Sequence, residues 1–127
     1  MNFIIGGAYQ GKKEYTIEKY SLSKDDISDG EFMNIDDISG LKCITNYHLL
    51  VKNVMENNGD PMDTAEKILH NNPNIIIIMN EIGNGIIPFE KSERIWREQV
   101  GRVGCYFARS AEKVIRITCG ISTIIKG

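Results

Sequence analysis

Histidine and cysteine are scarce in this chain of 127 residues, which holds 2 of the first and 3 of the second. Cys43, Cys105 and Cys119 are odd in number and show no Cys-x-x-Cys spacing, which argues against both a disulfide framework and a zinc site. All three are expected to be reduced and mostly buried. His48 and His70 have no partner at metal-ligand spacing and read as structural or exposed side chains, so no metal ligands are assigned. Charge of one sign is also missing. The formal net charge of −2 gives no electrostatic case for nucleic acid or an anionic membrane as partner. No apolar run approaches the length of a membrane span, and Phe3-Ile4-Ile5 is too short for the core of a signal peptide. With apolar and charged fractions near the average, the expectation is a cytoplasmic globule in which residues 1–127 form a single domain.

What is present begins at the amino-terminal end. Phe3-Ile4-Ile5 breaks into Gly6 and Gly7, and Ala8, Tyr9, Gln10 and Gly11 then lead to Lys12 and Lys13. Gly6, Gly11 and Lys12 fit the spacing of a phosphate-binding loop, in which glycines let successive N–H groups converge on one anion and the lysine adds a point charge. The helix that follows turns its positive end to the same spot. Lys13 takes the place of the Ser or Thr hydroxyl that ordinarily ligates Mg²⁺, and an ammonium cannot ligate a cation. The plain structural alternative is a glycine-rich turn from strand to helix.

Along the rest of the chain, Lys12 to Tyr20 reads as a short helix. Ser21 to Gly40 carries Asp25, Asp26, Asp29, Glu31, Asp36 and Asp37 against Lys24 alone, which suggests a solvated acidic loop around one short strand over Glu31 to Ile35. Its spacing follows no cation-coordination pattern. Leu41 to Ile44 suits a strand, and Leu50, Val51, Val54 and Met55 suit one face of a helix ending near Asn57-Asn58-Gly59. A second helix has Asp60 as cap, Pro61 at its first position and Met62, Ala65 and Leu69 on its apolar side. Ile75 to Met79 lacks alternation and predicts a strand buried on both faces of a parallel sheet. It delivers Glu81 to the carboxyl end, where open α/β sheets bind ligands. Gly83, Gly85 and Pro88 predict a shaped loop. Trp96, Val100, Val103, Phe107 and Ala111 then follow helical spacing, with Glu93 and Arg97, and Glu98 and Arg102, placed to pair one turn apart. Gly101 and Gly104 inside this helix suggest a close contact. Val114 to Cys119 and Ile121 to Ile125, parted by Gly120, predict two terminal strands.

The run Asn80-Glu81-Ile82-Gly83-Asn84-Gly85-Ile86-Ile87-Pro88, continued by Arg97, Gly101-Arg102, Ala108, Ala111-Glu112, Val114 and Gly120, resembles the C-terminal half of the adenosylcobinamide kinase/adenosylcobinamide-phosphate guanylyltransferase family. Gly6-Gly7-Ala8 with Gly11-Lys12 is similar to that family's phosphate loop, and Cys43-Ile44-Thr45 to its second strand motif. The resemblance implies an α/β, P-loop NTPase-like domain with a mostly parallel sheet, helices on both faces and a C-terminal antiparallel strand pair. It implies binding of GTP or ATP, a homo-oligomer (a trimer or related ring), and a place late in cobalamin synthesis. There the family phosphorylates a corrinoid alcohol and then transfers GMP to it through a guanylylated histidine.

Departures narrow that expectation. The interval where the family keeps its nucleophilic histidine is here short and acidic and contains none, so guanylyl transfer by that route is expected to be lost. Lys13 replaces the magnesium-binding hydroxyl, and Lys42 stands where the family has an acid before Cys43, so the Mg²⁺ site is expected to be degenerate. Two functional classes fit. One is a nucleotide-dependent kinase in which Gly6, Gly7, Ala8, Tyr9, Gln10, Gly11, Lys12 and Lys13 hold the nucleotide and Lys12 and Glu81 serve catalysis. The other is a non-catalytic relative that binds nucleotide or corrinoid, or assembles with a partner.

Overall fold

A computed structural model describes residues 1–82 and 90–127. The predicted Gly83, Gly85 and Pro88 loop lies outside the described residues. The two most apolar runs become neighbouring central strands. Strand β1 (Asn2–Gly6) lies between β4 (Ile76–Asn80) and β5 (Lys113–Thr118), parallel to both. With β2 (Ile27–Asp29), β3 (Cys43–Thr45) and β6 (Ile121–Lys126) the six-stranded order is β2-β3-β4-β1-β5-β6, and β6 runs antiparallel to β5. The chain thus has the α/β, P-loop-like fold that its sequence led us to expect.

Alternation along the buried strands explains how one run of isoleucines serves two cores. Phe3, Ile44, Ile77, Met79 and Val114 face helices α2 (Tyr47–Glu56), α3 (Pro61–Asn71) and α4 (Lys91–Ser110). Ile4, Cys43, Ile76, Ile78, Ile115 and Ile117 face the other way, where Tyr15 and Tyr20 of α1 (Lys12–Tyr20) pack on them. The larger core centres on Phe107, fully buried with its ring 4.8 Å from Tyr47 and 5.5 Å from Phe3 in edge-on contacts. Asp60 accepts the Met62 N–H at 3.0 Å and Pro61 opens α3, as their order in the sequence predicts. Gly104 has its reason in Met79, whose methyl carbon would lie 3.0 Å from an added Cβ, whereas nothing stands within 4 Å of one at Gly101. The Glu98 and Arg102 pair forms at 2.7 Å.

Two expectations are corrected. The strand in the acidic stretch is Ile27–Asp29, not Glu31 to Ile35, because the N–H groups of Phe32 and Met33 bond back to the Asp29 carbonyl and coil the chain there. Nor is that stretch simply solvated, since Met33, Ile35 and Ile38 pack against the larger core. The second concerns the cysteines. Cys43 is buried, and burial pushes its thiol up to about 12, but Cys105 on α4 and Cys119 in the β5–β6 turn are exposed.

From β1 the chain crosses to the far edge at β2, returns through β3 and β4, and then passes over β1 to β5. Strand order therefore reverses beside β1. The loops leaving the carboxyl ends of β1, β3 and β4 open at that reversal, the place where such sheets form a ligand crevice. Replacing Phe107 with Ala should lower the unfolding free energy by about 3–5 kcal/mol, read from urea denaturation, because Phe3 and Tyr47, whose rings edge onto it, cannot close the gap.

Candidate nucleotide-binding site

The glycine loop ends on a residue in the left-handed region, Gly11 at φ 86°, which serves as the N-cap of α1. Tyr9 also takes positive φ, at 60°, and projects fully into solvent. Lys12 is the first helical residue and is buried at 8 % exposure, with its ammonium donating to the Gly7 carbonyl at 2.6 Å. Thr16 donates from Oγ1 to the Lys12 carbonyl at 2.7 Å and holds the first turn. The first main-chain bond of the helix is Tyr15 N–H to Gly11 at 3.0 Å, so the amides of Lys12, Lys13 and Glu14 have no acceptor within the helix. Burial holds the Lys12 ammonium below the usual lysine range, while Glu14 and Glu81 pull the other way. A cation enclosed in its own loop beside free amides is suited to receive an anion.

Gln10 does something the sequence did not announce. Its side-chain oxygen accepts the Cys119 N–H at 2.6 Å and its main-chain oxygen accepts the Gly120 N–H at 2.9 Å. Cys119 and Gly120 both have positive φ, 50° and 77°, the geometry of a tight two-residue hairpin turn. The β5–β6 turn thereby clamps the tip of the loop.

Ala8 to Glu14 form one side of a crevice of about 300 Å³, and Asp29, Thr45, Asn46, Ile78 and Asn80 form the other. Asp29, Thr45 and Asn80 stand at the ends of β2, β3 and β4, and no spacing in the sequence could have gathered them, because strand order brings them together. His48 lies behind this wall, buried, and its Nδ1 accepts the Asn80 N–H at 3.2 Å. Burial first, and then the Lys12 charge, push its imidazole down to about 4.

Glu81 reaches the same strand ends, with its N–H donating to the Gly6 carbonyl at 2.9 Å. Its carboxylate, however, pairs with Arg116 at 2.7 Å on the α4 side of the sheet. There it borders a separate apolar groove of about 390 Å³ with Ile5, Val100, Gly101 and Ile125. Lys13 is exposed and lines the crevice. Lys42 does not join it. It precedes β3 and pairs with Asp26 at 3.1 Å at the amino end of the strands, which at about 3.3 Å per residue is roughly 10 Å from Thr45. The expectation that the two lysines act at one cation position is therefore corrected: Lys13 lines the crevice and Lys42 stands apart from it. Among the described residues no group of three or more His, Cys, Asp or Glu side chains could hold a metal ion.

Residues 16–125 match the family described as cobinamide kinase / cobinamide phosphate guanyltransferase. The chain belongs to this family. Membership ties it to nucleotide-dependent transfer in cobalamin biosynthesis at the level the family shares. The match to the cobinamide kinase family begins beyond Gly6 to Lys13. No curated protein matches the chain.

The His48 shift carries a sign that can be measured. The fold favours the neutral ring, so the stabilisation is complete above about pH 6.5 and is lost as pH falls toward about 4. From pH 7 to pH 5 the wild type should lose about 2 kcal/mol of unfolding free energy that His48→Gln does not lose, at 1.36 kcal/mol per unit. Urea titrations of both proteins at the two pH values provide the comparison.

Proposed function

We propose that this cobinamide kinase family member is a nucleotide-dependent kinase, acting as one domain over residues 1–127, that transfers a phosphoryl group from GTP or ATP to a corrinoid alcohol. The observation that carries the reading is the enclosed Lys12 ammonium, 2.6 Å from the Gly7 carbonyl and beside the free amides of α1. In this reading the backbone of Gly6 to Lys13 surrounds the phosphates and Lys12 neutralises them. Glu81 serves from the neighbouring strand end, once its bond to Arg116 yields, by orienting the acceptor or a cation.

Guanylyl transfer through a histidine is absent in this reading. No histidine occurs from Gly11 to Leu41. His48 is buried with Nδ1 engaged, and His70 borders a groove with Met1 and Pro73 at the amino ends of the strands. Labelled GTP should leave the denatured chain unlabelled; acid-labile, base-stable label on a histidine is the contrary result. Assembly into a homo-oligomer has support in β6, where every residue is exposed and Ile121, Ile124 and Ile125 remain 70, 56 and 56 % accessible on a sheet edge. Among the described residues no helix is long and apolar enough to cross a membrane.

A second reading, nucleotide binding without catalysis, draws on Lys13. Near a dielectric of about 20, an ammonium about 4 Å from a divalent cation costs on the order of 4 kcal/mol per unit of charge product, which weakens the ion that phosphoryl transfer relies on. Calorimetric titration with GTP and ATP, with and without Mg²⁺, separates these readings from a loop that binds nothing, and assay with cobinamide separates them from each other. Affinity should fall at least about tenfold in Lys12→Ala, roughly the worth of one charge-assisted hydrogen bond, and should respond little to Mg²⁺. Lys13→Ser should introduce a Mg²⁺ dependence, whereas Lys42→Asp should not. Strong Mg²⁺-dependent binding by the wild type would show that Lys13 does not exclude the ion.

A further inference from the structure

Asp29 is held far more firmly than a residue of a solvated acidic loop requires. Its Oδ1 accepts the Glu31 N–H at 2.9 Å and the Asn46 side-chain amide at 3.2 Å. Its carbonyl accepts from Phe32 and Met33, and the next residue, Gly30, donates to the Thr45 carbonyl at 2.8 Å. Asn53 then ties down the Gly30 and Glu31 carbonyls at 3.1 and 2.7 Å. Gly30 is pressed so closely on the β3 end that a Cβ there would stand 2.6 Å from the Asn46 carbonyl oxygen. All of this fixes one oxygen and leaves the other. Among the described residues Oδ2 has no partner, and Asp29 makes no ion pair.

That free oxygen belongs to a residue lining the crevice opposite the loop, with Lys12 and Lys13 on the facing wall. Lys12 and Asp29 both act on His48, with opposite signs, but not as an ion pair with each other, so space separates them. A positive loop on one side and a preorganised carboxylate on the other is the arrangement that phosphoryl transfer to a hydroxyl needs: charge stabilisation where the phosphates lie, and a proton acceptor where the nucleophile approaches.

We propose that Asp29 is the catalytic base of this site, taking the hydroxyl proton of the acceptor alcohol; the proposal rests on the kinase reading above. As the acceptor oxygen bonds to the γ-phosphorus, the bond from that phosphorus to the β–γ bridging oxygen breaks. The proton passes to Asp29 Oδ2, and the bridging oxygen leaves on the nucleoside diphosphate with the electron pair.

Asp29→Asn is the informative variant, because its amide oxygen can still accept from Glu31 and Asn46 while it no longer offers a base. With cobinamide as acceptor and GTP or ATP as donor, its saturating rate should fall about 10²- to 10⁴-fold, with nucleotide affinity by calorimetry and thermal unfolding close to wild type. Asp29→Glu, which keeps the carboxylate and displaces it by one methylene, should recover part of the rate. An unchanged saturating rate in Asp29→Asn overturns the proposal. So does a parallel loss of nucleotide affinity, which makes the residue structural. A higher Mg²⁺ requirement at an unchanged saturating rate overturns it too, by making Asp29 a metal ligand. A wild type that binds nucleotide and phosphorylates nothing defeats the kinase reading and this proposal together, whereas transfer by the wild type and by Asp29→Asn alike defeats the proposal alone.

Discussion

Three strand ends meet at Gly6, and the candidate site depends on how closely they do so. The Gly6 carbonyl takes the Glu81 N–H at the end of β4, while a Cβ on Gly6 would lie 2.5 Å from the Ile117 carbonyl of β5. A larger residue would push β5 away from β1, and with it the hairpin turn that grips Gln10. The glycine is therefore not there merely to let a loop curl. It sets the spacing of the central strands at the point where the chain leaves them for the crevice.

Charge is distributed around that point with little redundancy. Lys12 spends its ammonium on a neutral carbonyl of its own loop, so a phosphate competes for it with the advantage of a full charge. The Glu81 and Arg116 side chains are 23 and 49 % exposed, and pairs this open to water contribute little to stability. A ligand that separates them meets only a small penalty. Asp29 differs from both, because the bonds around it come from main-chain groups and neutral amides, and among the described residues no cation pairs with its charge.

What could be read from the sequence divides along physical lines. Ile75 to Met79, Lys12 to Tyr20 and the terminal strand pair are legible because burial on two faces, helical periodicity and glycine turns leave local patterns. Membership in the cobinamide kinase family is legible in the residues from Asn80 onward. The position of β2 is not, since the choice between Ile27–Asp29 and Glu31 to Ile35 is made by register against β3 and by hydrogen bonds back to Asp29. Lys42 misleads for a related reason: adjacency to a motif says nothing about which end of a short strand a side chain occupies. Of the crevice, the glycine and lysine spacing can be read directly, but Asp29, Asn80 and the Gln10 clamp come from segments far apart in the chain. Exposure of Cys105 and Cys119 likewise follows from which side of a helix and which turn they occupy, and composition cannot report that.

The clamp at Gln10 also has a bearing on how the protein is made. The glycine loop leaves a ribosome ahead of the segments that complete it, since β1 pairs with residues 76–80 and 113–116 and the loop tip is held by residues 119 and 120. Pairings of such separation form late and slowly. During synthesis the loop must wait, with Phe3, Ile4 and Ile5 lacking neighbours on both sides, and that exposed apolar strand is the kind of segment that chaperones shield or that aggregates. The loop is thus finished only when a turn more than a hundred residues further along the chain has been made.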